Sequence, residues 1–99
     1  MRSIKNYIDN IKDELESAKD YAERSLEERV RGNVNVANHY KEMAQDELKH
    51  ASFLHEMATK SADELSKVFI PPEEMLESWR KAHAEYVEKA AWVKQMLTM

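Results

Sequence analysis

Hydrophobic residues recur every three to four positions along most of this chain, and polar residues fill the places between them. That is the 3.6-residue period of amphipathic helices, and no stretch shows the two-residue rhythm of a strand. The first stripe is Ile4, Tyr7, Ile8, Ile11, Leu15, Ala18, Tyr21, Ala22, Leu26 and Val30. The second is Val36, Ala37, Tyr40, Met43, Ala44, Leu48, Ala51, Leu54, Met57 and Ala58. The third is Met75, Trp79, Ala82, Tyr86, Ala90, Val93 and Leu97. One glycine, Gly32, and two prolines, Pro71 and Pro72, supply the breaks between them. The pattern predicts an all-α chain, residues 1–99 forming one domain, with helices over about 3–31, 36–65 and 73–97. Gly32 suits the left-handed position that ends a helix, and Asn33 or Asn35 is available to cap the next one. Glu73 and Glu74 complement the positive end of the third helix dipole. A turn this short makes the first two helices antiparallel, giving a hairpin.

Three residues break the apolar stripes. Glu14 falls between Ile11, Leu15 and Ala18, while Glu47 and His50 fall between Met43, Ala44 and Leu54. A charged group on a buried face costs several kcal/mol unless it is paired or holds a metal. In an antiparallel hairpin, residues equidistant from the turn lie level. The midpoint of positions 14 and 47 falls between Val30 and Arg31, beside Gly32, so Glu14 and Glu47 are expected to face each other. His50 sits one turn from Glu47 on the same face. Tyr21 follows Glu14 by seven residues and Tyr40 precedes Glu47 by seven, so both reach one level, roughly 10 Å from the acids. This layering is compatible with a metal site built on Glu14, Glu47 and His50. It is also compatible with a hydrogen-bonded carboxylate–histidine pair inside a structural core.

The segment Asp13-Glu14-Leu15-Glu16-Ser17-Ala18-Lys19-Asp20-Tyr21, with Asp46-Glu47-Leu48-Lys49-His50-Ala51, resembles the paired motifs of rubrerythrins and encapsulated ferritins. The likeness spans the first two helices, about two thirds of the chain. The resemblance implies Glu14, Glu47 and His50 as metal ligands with catalytic duties, and Tyr21 near the site; Tyr40 sits level with it. One glutamate on one helix and a Glu-x-x-His on the next are half of a di-iron centre in this family. With a single half per chain, the resemblance implies a four-helix bundle completed by dimerisation, with two iron ions held between two protomers. Other divalent metals are possible in iron's place. It also implies a second metal position between protomers, formed by acids flanking the first ligand, where Asp13 and Glu16 stand. The tail Val93-Lys94-Gln95-Met96-Leu97-Thr98-Met99 does not resemble a docking tail for an encapsulating shell. The stretch Pro71-Pro72-Glu73-Glu74-Met75 with Trp79 and His83 is instead similar to small ferritin-like proteins of bacterial and phage genomes.

Composition narrows the alternatives. A net charge of −4 and a pI near 5.6 argue against nucleic acid as partner, since phosphate binding needs clustered Lys and Arg. A mean hydropathy of −0.77 and the lack of any apolar run near 20 residues argue against a membrane span. The N-terminus lacks the apolar core of a secretory signal, and without cysteine there is neither a disulfide nor a thiolate site, so a cytoplasmic setting is expected. Asp9, Asp13, Glu16, Asp20, Glu23 and Glu27 form an acidic stripe away from Glu14, either a path that concentrates cations or a solvated face. His83, on the third stripe, reads as an extra ligand or a satisfied core or interface residue; His39 and His55 read as surface or edge positions. Trp79 and Trp92 are expected to anchor the third helix to the hairpin or to another subunit.

The functional expectation is a ferritin-like di-iron protein, a candidate ferroxidase-type oxidoreductase that binds and oxidises Fe²⁺ in iron handling or oxidative-stress protection. It would work as a homo-oligomer, at least a dimer. The alternative is a non-catalytic helical interaction module that keeps this shape.

Overall fold

The computed structural model describes residues 4–99; Ser3, where the sequence pattern starts the first helix, lies outside them. The described residues form three helices and no strand: α1 (Ile4–Val30), α2 (Val34–Val68) and α3 (Glu73–Met96). None of them is long and apolar enough to cross a membrane. The molecule measures 55 × 21 × 16 Å. At 1.5 Å per residue, α2 alone is about 52 Å long, so it sets the length of the molecule.

Gly32 ends α1 as its sequence position implies. Its φ of +84° is in the left-handed region. The Asn33 amide donates to the Glu28 carbonyl at 2.9 Å and the Gly32 amide to that of Arg29 at 3.1 Å, the paired bonds of a Schellman turn. Asn33 occupies the cap of α2, yet its side chain does not cap. The amide Nδ2 instead donates to Glu28 Oε2 at 2.7 Å, which ties the turn back onto α1. Helix α2 begins earlier than its apolar stripe because the Asn33 carbonyl already accepts from the Ala37 amide. It also runs three residues beyond Leu65, to Val68, and the Pro71-Pro72 pair keeps it from going further.

The α1–α2 seam is a seven-residue repeat. Ile4, Ile11, Ala18 and Ser25 on α1 are all buried, and so are Ala58, Ala51, Ala44 and Ala37 on α2. These two series run level, one against the other, down the antiparallel pair. The register is fixed at the turn end, where the buried Ser25 hydroxyl donates to the Ala37 carbonyl at 2.8 Å. A seven-residue repeat in both helices is the signature of a coiled-coil seam, and small residues let the backbones approach closely. Replacing Ala44, which is 0% exposed, with leucine should therefore destabilise the hairpin by about 1–3 kcal/mol through overpacking. Urea denaturation of the variant beside wild type measures this, and an unchanged midpoint would refute the tight seam.

Helix α3 runs back along the hairpin, antiparallel to α2, and its buried residues Ala90, Val93 and Met96 all lie in its last two to three turns. Its C-terminal end reaches Leu48 and Lys41, so the turn end of the hairpin lies beyond it. That accounts for two departures from the sequence stripes: Val30 and Val36 are exposed there, as is Val34. Trp79 is half-buried and packs against the core, whereas Trp92 is more exposed than buried and lines the groove between α1 and α3.

Candidate metal centre

A second seam runs beside the alanine seam, offset by three residues on each helix. Its layers are Glu28 with Asn33, Tyr21 with Tyr40, and Glu14 with Glu47, each seven residues from the next. The first layer is hydrogen-bonded. In the second, the tyrosine rings stack with centroids 6.2 Å apart and planes at 23°, and the Arg24 guanidinium sits 5.9 Å from the Tyr40 ring centre. In the third, carboxylate oxygens of the two residues lie within 4.8 Å of each other. His50 adds its imidazole from the next turn of α2, with Nδ1 at 3.5 Å from Glu14 Oε2 and 3.8 Å from Glu47 Oε1.

Each of the three residues offers a ligand atom, and those atoms lie within 4.8 Å of one another. Oxygen and nitrogen donors about 2.1 Å from one ion are roughly 3–4 Å apart. Both histidine–carboxylate distances already fall in that range. Electrostatics points the same way. Glu47 is pushed up to about 7 from an ordinary 4.5, chiefly by the hydrogen bond to Glu14, then by partial burial and the charge of Glu14. Two carboxylates are thus forced to share a proton that a divalent cation would replace, so the donor set fits a metal.

The sequence pattern places these residues on buried faces, and here the structure differs. His50 is exposed, with 58% of its side chain accessible, and the Glu14 and Glu47 side chains are 28% and 23% accessible. The reason is where α3 docks. The grooves against α3 are lined by Leu15, Glu16 and Lys19 on α1 and by Lys41, Leu48 and Ser52 on α2. Helical spacing puts Glu14, Glu47 and His50 on the opposite side of the hairpin. On that open side, Met43 lies one turn before Glu47 and Phe53 one turn after His50, 40% and 60% exposed. Asn10, Phe53 and Leu54 share a shallow pocket with Glu14 and His50.

Asp13 and Glu16 are exposed and stand outside this group; Glu16 lines the α1–α3 groove. The acidic stripe is solvated along its length, with Lys19 paired to Glu23 at 3.8 Å. His83 is likewise apart from the carboxylates. It bonds to His55, which is half-buried on the α3 side. The cue in the sequence is the run Trp79, His83, Tyr86 on one face of α3, which meets His55 across the helix pair.

Comparison with family models, with curated proteins and with solved structures finds no match to this chain.

The shared proton has a measurable consequence in the metal-free protein. Between pH about 4.5 and 7 the folded chain holds a proton at Glu47 that the unfolded chain has released. Stability must then fall as pH rises through that window. His55 acts in the opposite sense: burial and then His83 hold it below its ordinary 6.5, so it costs stability as pH falls. Substituting Glu47→Gln separates the two. Thermal melts across pH 4.5–7.5 should show the variant gaining relative to wild type as pH rises, and parallel curves would refute the proton-sharing pair.

Proposed function

We propose that this chain is half of a ferritin-like di-iron carboxylate protein, and that two copies meet across the Glu14, Glu47 and His50 face to complete a four-helix bundle and its metal centre. The single observation that carries the reading is the convergence of these three side chains, level on an antiparallel hairpin and open on one side. Two carboxylates and one imidazole are too few donors for two ions. Two copies supply four carboxylates and two imidazoles, the donor set of ferritin-like centres. Met43 and Phe53, exposed on either side of the ligands, offer apolar contact for such a partner.

Oxygen-rich ligands with some imidazole suit iron or manganese. With iron bound, such a centre supplies one-electron redox chemistry and open positions for dioxygen or peroxide. The chain's own contribution is to hold the donors: Glu14 and Glu47 bring carboxylates from two helices, and His50 adds an imidazole nitrogen. The Tyr21–Tyr40 stack closes the seam one layer toward the turn. Fe²⁺ is read as the substrate, in iron handling or protection from oxidative damage.

The experiment is an anaerobic Fe²⁺ titration followed by exposure to air. Stoichiometric binding, iron oxidation faster than in protein-free buffer and a di-ferric absorption band are the expected results. Absence of Fe²⁺ binding would refute the reading and leave a helical interaction module.

A further inference from the structure

On the other side of the hairpin, α2 and α3 are joined by a pair of imidazoles. His55 Nε2 lies 2.7 Å from His83 Nδ1. The His55 ring is held in place by aromatic neighbours: Tyr86 stacks on it at 4.3 Å between centroids and 12° between planes, and Trp79 stacks at 5.5 Å and 25°. His83 completes the stack at 4.9 Å but is itself exposed. One ring is thus half-buried among aromatic neighbours, and the other is exposed at the surface.

We propose that His55 and His83 form a second metal site, made of two nitrogen donors, which binds a late divalent transition ion of the Cu²⁺, Ni²⁺ or Zn²⁺ type and staples α3 to α2. At 2.7 Å the two nitrogens can share one proton, and a metal ion can take the place of that proton. Nitrogens about 2.0 Å from one ion at a right angle stand roughly 2.8 Å apart, against about 3.3 Å for a tetrahedral pair. Two imidazole nitrogens that can close on one ion are a donor type that Cu²⁺ and Ni²⁺ favour. The exposed His83 ring has room to turn its lone pair toward a common point with that of His55. Burial and the neighbouring His83 favour neutral His55, the form that ligates.

The donor set distinguishes this site from the carboxylate one. Among the described residues, the group of three or more acids and histidines within metal reach is Glu14, Glu47 and His50. The His55–His83 pair therefore has no carboxylate to attract Mg²⁺, Ca²⁺ or Mn²⁺, and water would fill its remaining positions. It selects ions that favour imidazole. Its mechanical effect follows from where it lies. The buried residues of α3 are confined to Ala90, Val93 and Met96, so the N-terminal half of the helix is held to the hairpin by this aromatic and imidazole cluster. An ion bridging His55 and His83 would fasten the half that is otherwise least anchored.

The test uses the full chain with Glu14→Gln, Glu47→Gln and His50→Ala, so that the carboxylate site is silent and the result is independent of the proposed function. Cu²⁺ and Ni²⁺ are the probes. One Cu²⁺ per chain should bind, with nitrogen hyperfine structure in its paramagnetic resonance spectrum. Ni²⁺ should raise the melting temperature by on the order of 10 °C when free ion exceeds its dissociation constant about a hundredfold. Adding His83→Ala, an exposed position whose loss leaves the helices intact by circular dichroism, should remove both effects. Adding His39→Ala should remove neither. The proposal is overturned if Cu²⁺ keeps its spectrum in the His83→Ala background, if Ni²⁺ gives no rise in the parent, or if Mg²⁺ gives an equal rise.

Discussion

Replacing His50 with alanine is expected to abolish tight metal binding and to leave the helices as they are. The same is expected of Glu47→Ala. Each change removes one of three ligands per chain, and in a symmetric assembly it removes two ligands at once. Losing a group that merely orients a metal ligand costs roughly 10–100-fold in affinity, so losing the ligand itself should exceed that. The fold should be spared for reasons specific to these positions. More than half of the His50 side chain is accessible, so its removal opens no cavity. Removing the Glu47 carboxyl ends the enforced proximity to Glu14 that pushes its pKa up to about 7, so the metal-free variant should melt no lower than wild type. A structural hydrogen-bond cluster makes the opposite forecast: metal content low in all variants and a lower melting temperature. Metal analysis after desalting, read beside circular dichroism melts, distinguishes the two. Unchanged iron stoichiometry in either variant would remove these residues from the ligand set.

Much of this geometry is legible in the sequence because it depends on local signals. Gly32 fixes where α1 stops, the seven-residue spacings fix which residues share a level, and together they bring Glu14 opposite Glu47 and Tyr21 opposite Tyr40. The alanines at 37, 44, 51 and 58 were equally readable, but a general apolar stripe hides their meaning: they are small, and they set how closely the helices approach. What the sequence could not provide was the side of the hairpin that α3 covers. A helix with its apolar residues spread over Met75, Trp79, Tyr86 and Val93 can dock on either face, and the choice is made by long-range packing. That choice decides that His50 is exposed rather than buried. It also decides that His55 is enclosed by Trp79, His83 and Tyr86. Asn33 shows a smaller version of the same limit. Its place at the helix start was legible, but the competition between its own cap and the Glu28 carboxylate was settled by the turn.

The metal site is expected to exist only in the assembled protein, which couples metal binding to association. The open side of the hairpin carries the three proposed ligands and two exposed apolar residues, Met43 and Phe53, at helical spacing around them. An isologous dimer uses one patch twice, so a two-fold axis beside Glu47 and His50 would duplicate the donors and cover the apolar residues together. Iron that binds the dimer and not the monomer must shift the association equilibrium toward the dimer, and dilution must release iron. The expected stoichiometry is two ions per two chains. At a hundredfold excess of ion over its dissociation constant, linkage of this kind is worth roughly 2.7 kcal/mol for each ion, so two ions raise the association constant about ten-thousandfold. Sedimentation of metal-free and iron-loaded protein across a concentration series reads that shift directly. A Phe53→Lys substitution, which places a charge in the proposed contact, replaces no ligand and adds no carboxylate, should weaken association and iron retention in parallel. A monomer that keeps its iron at full occupancy on dilution would refute the shared centre, even with Glu14, Glu47 and His50 established as its ligands.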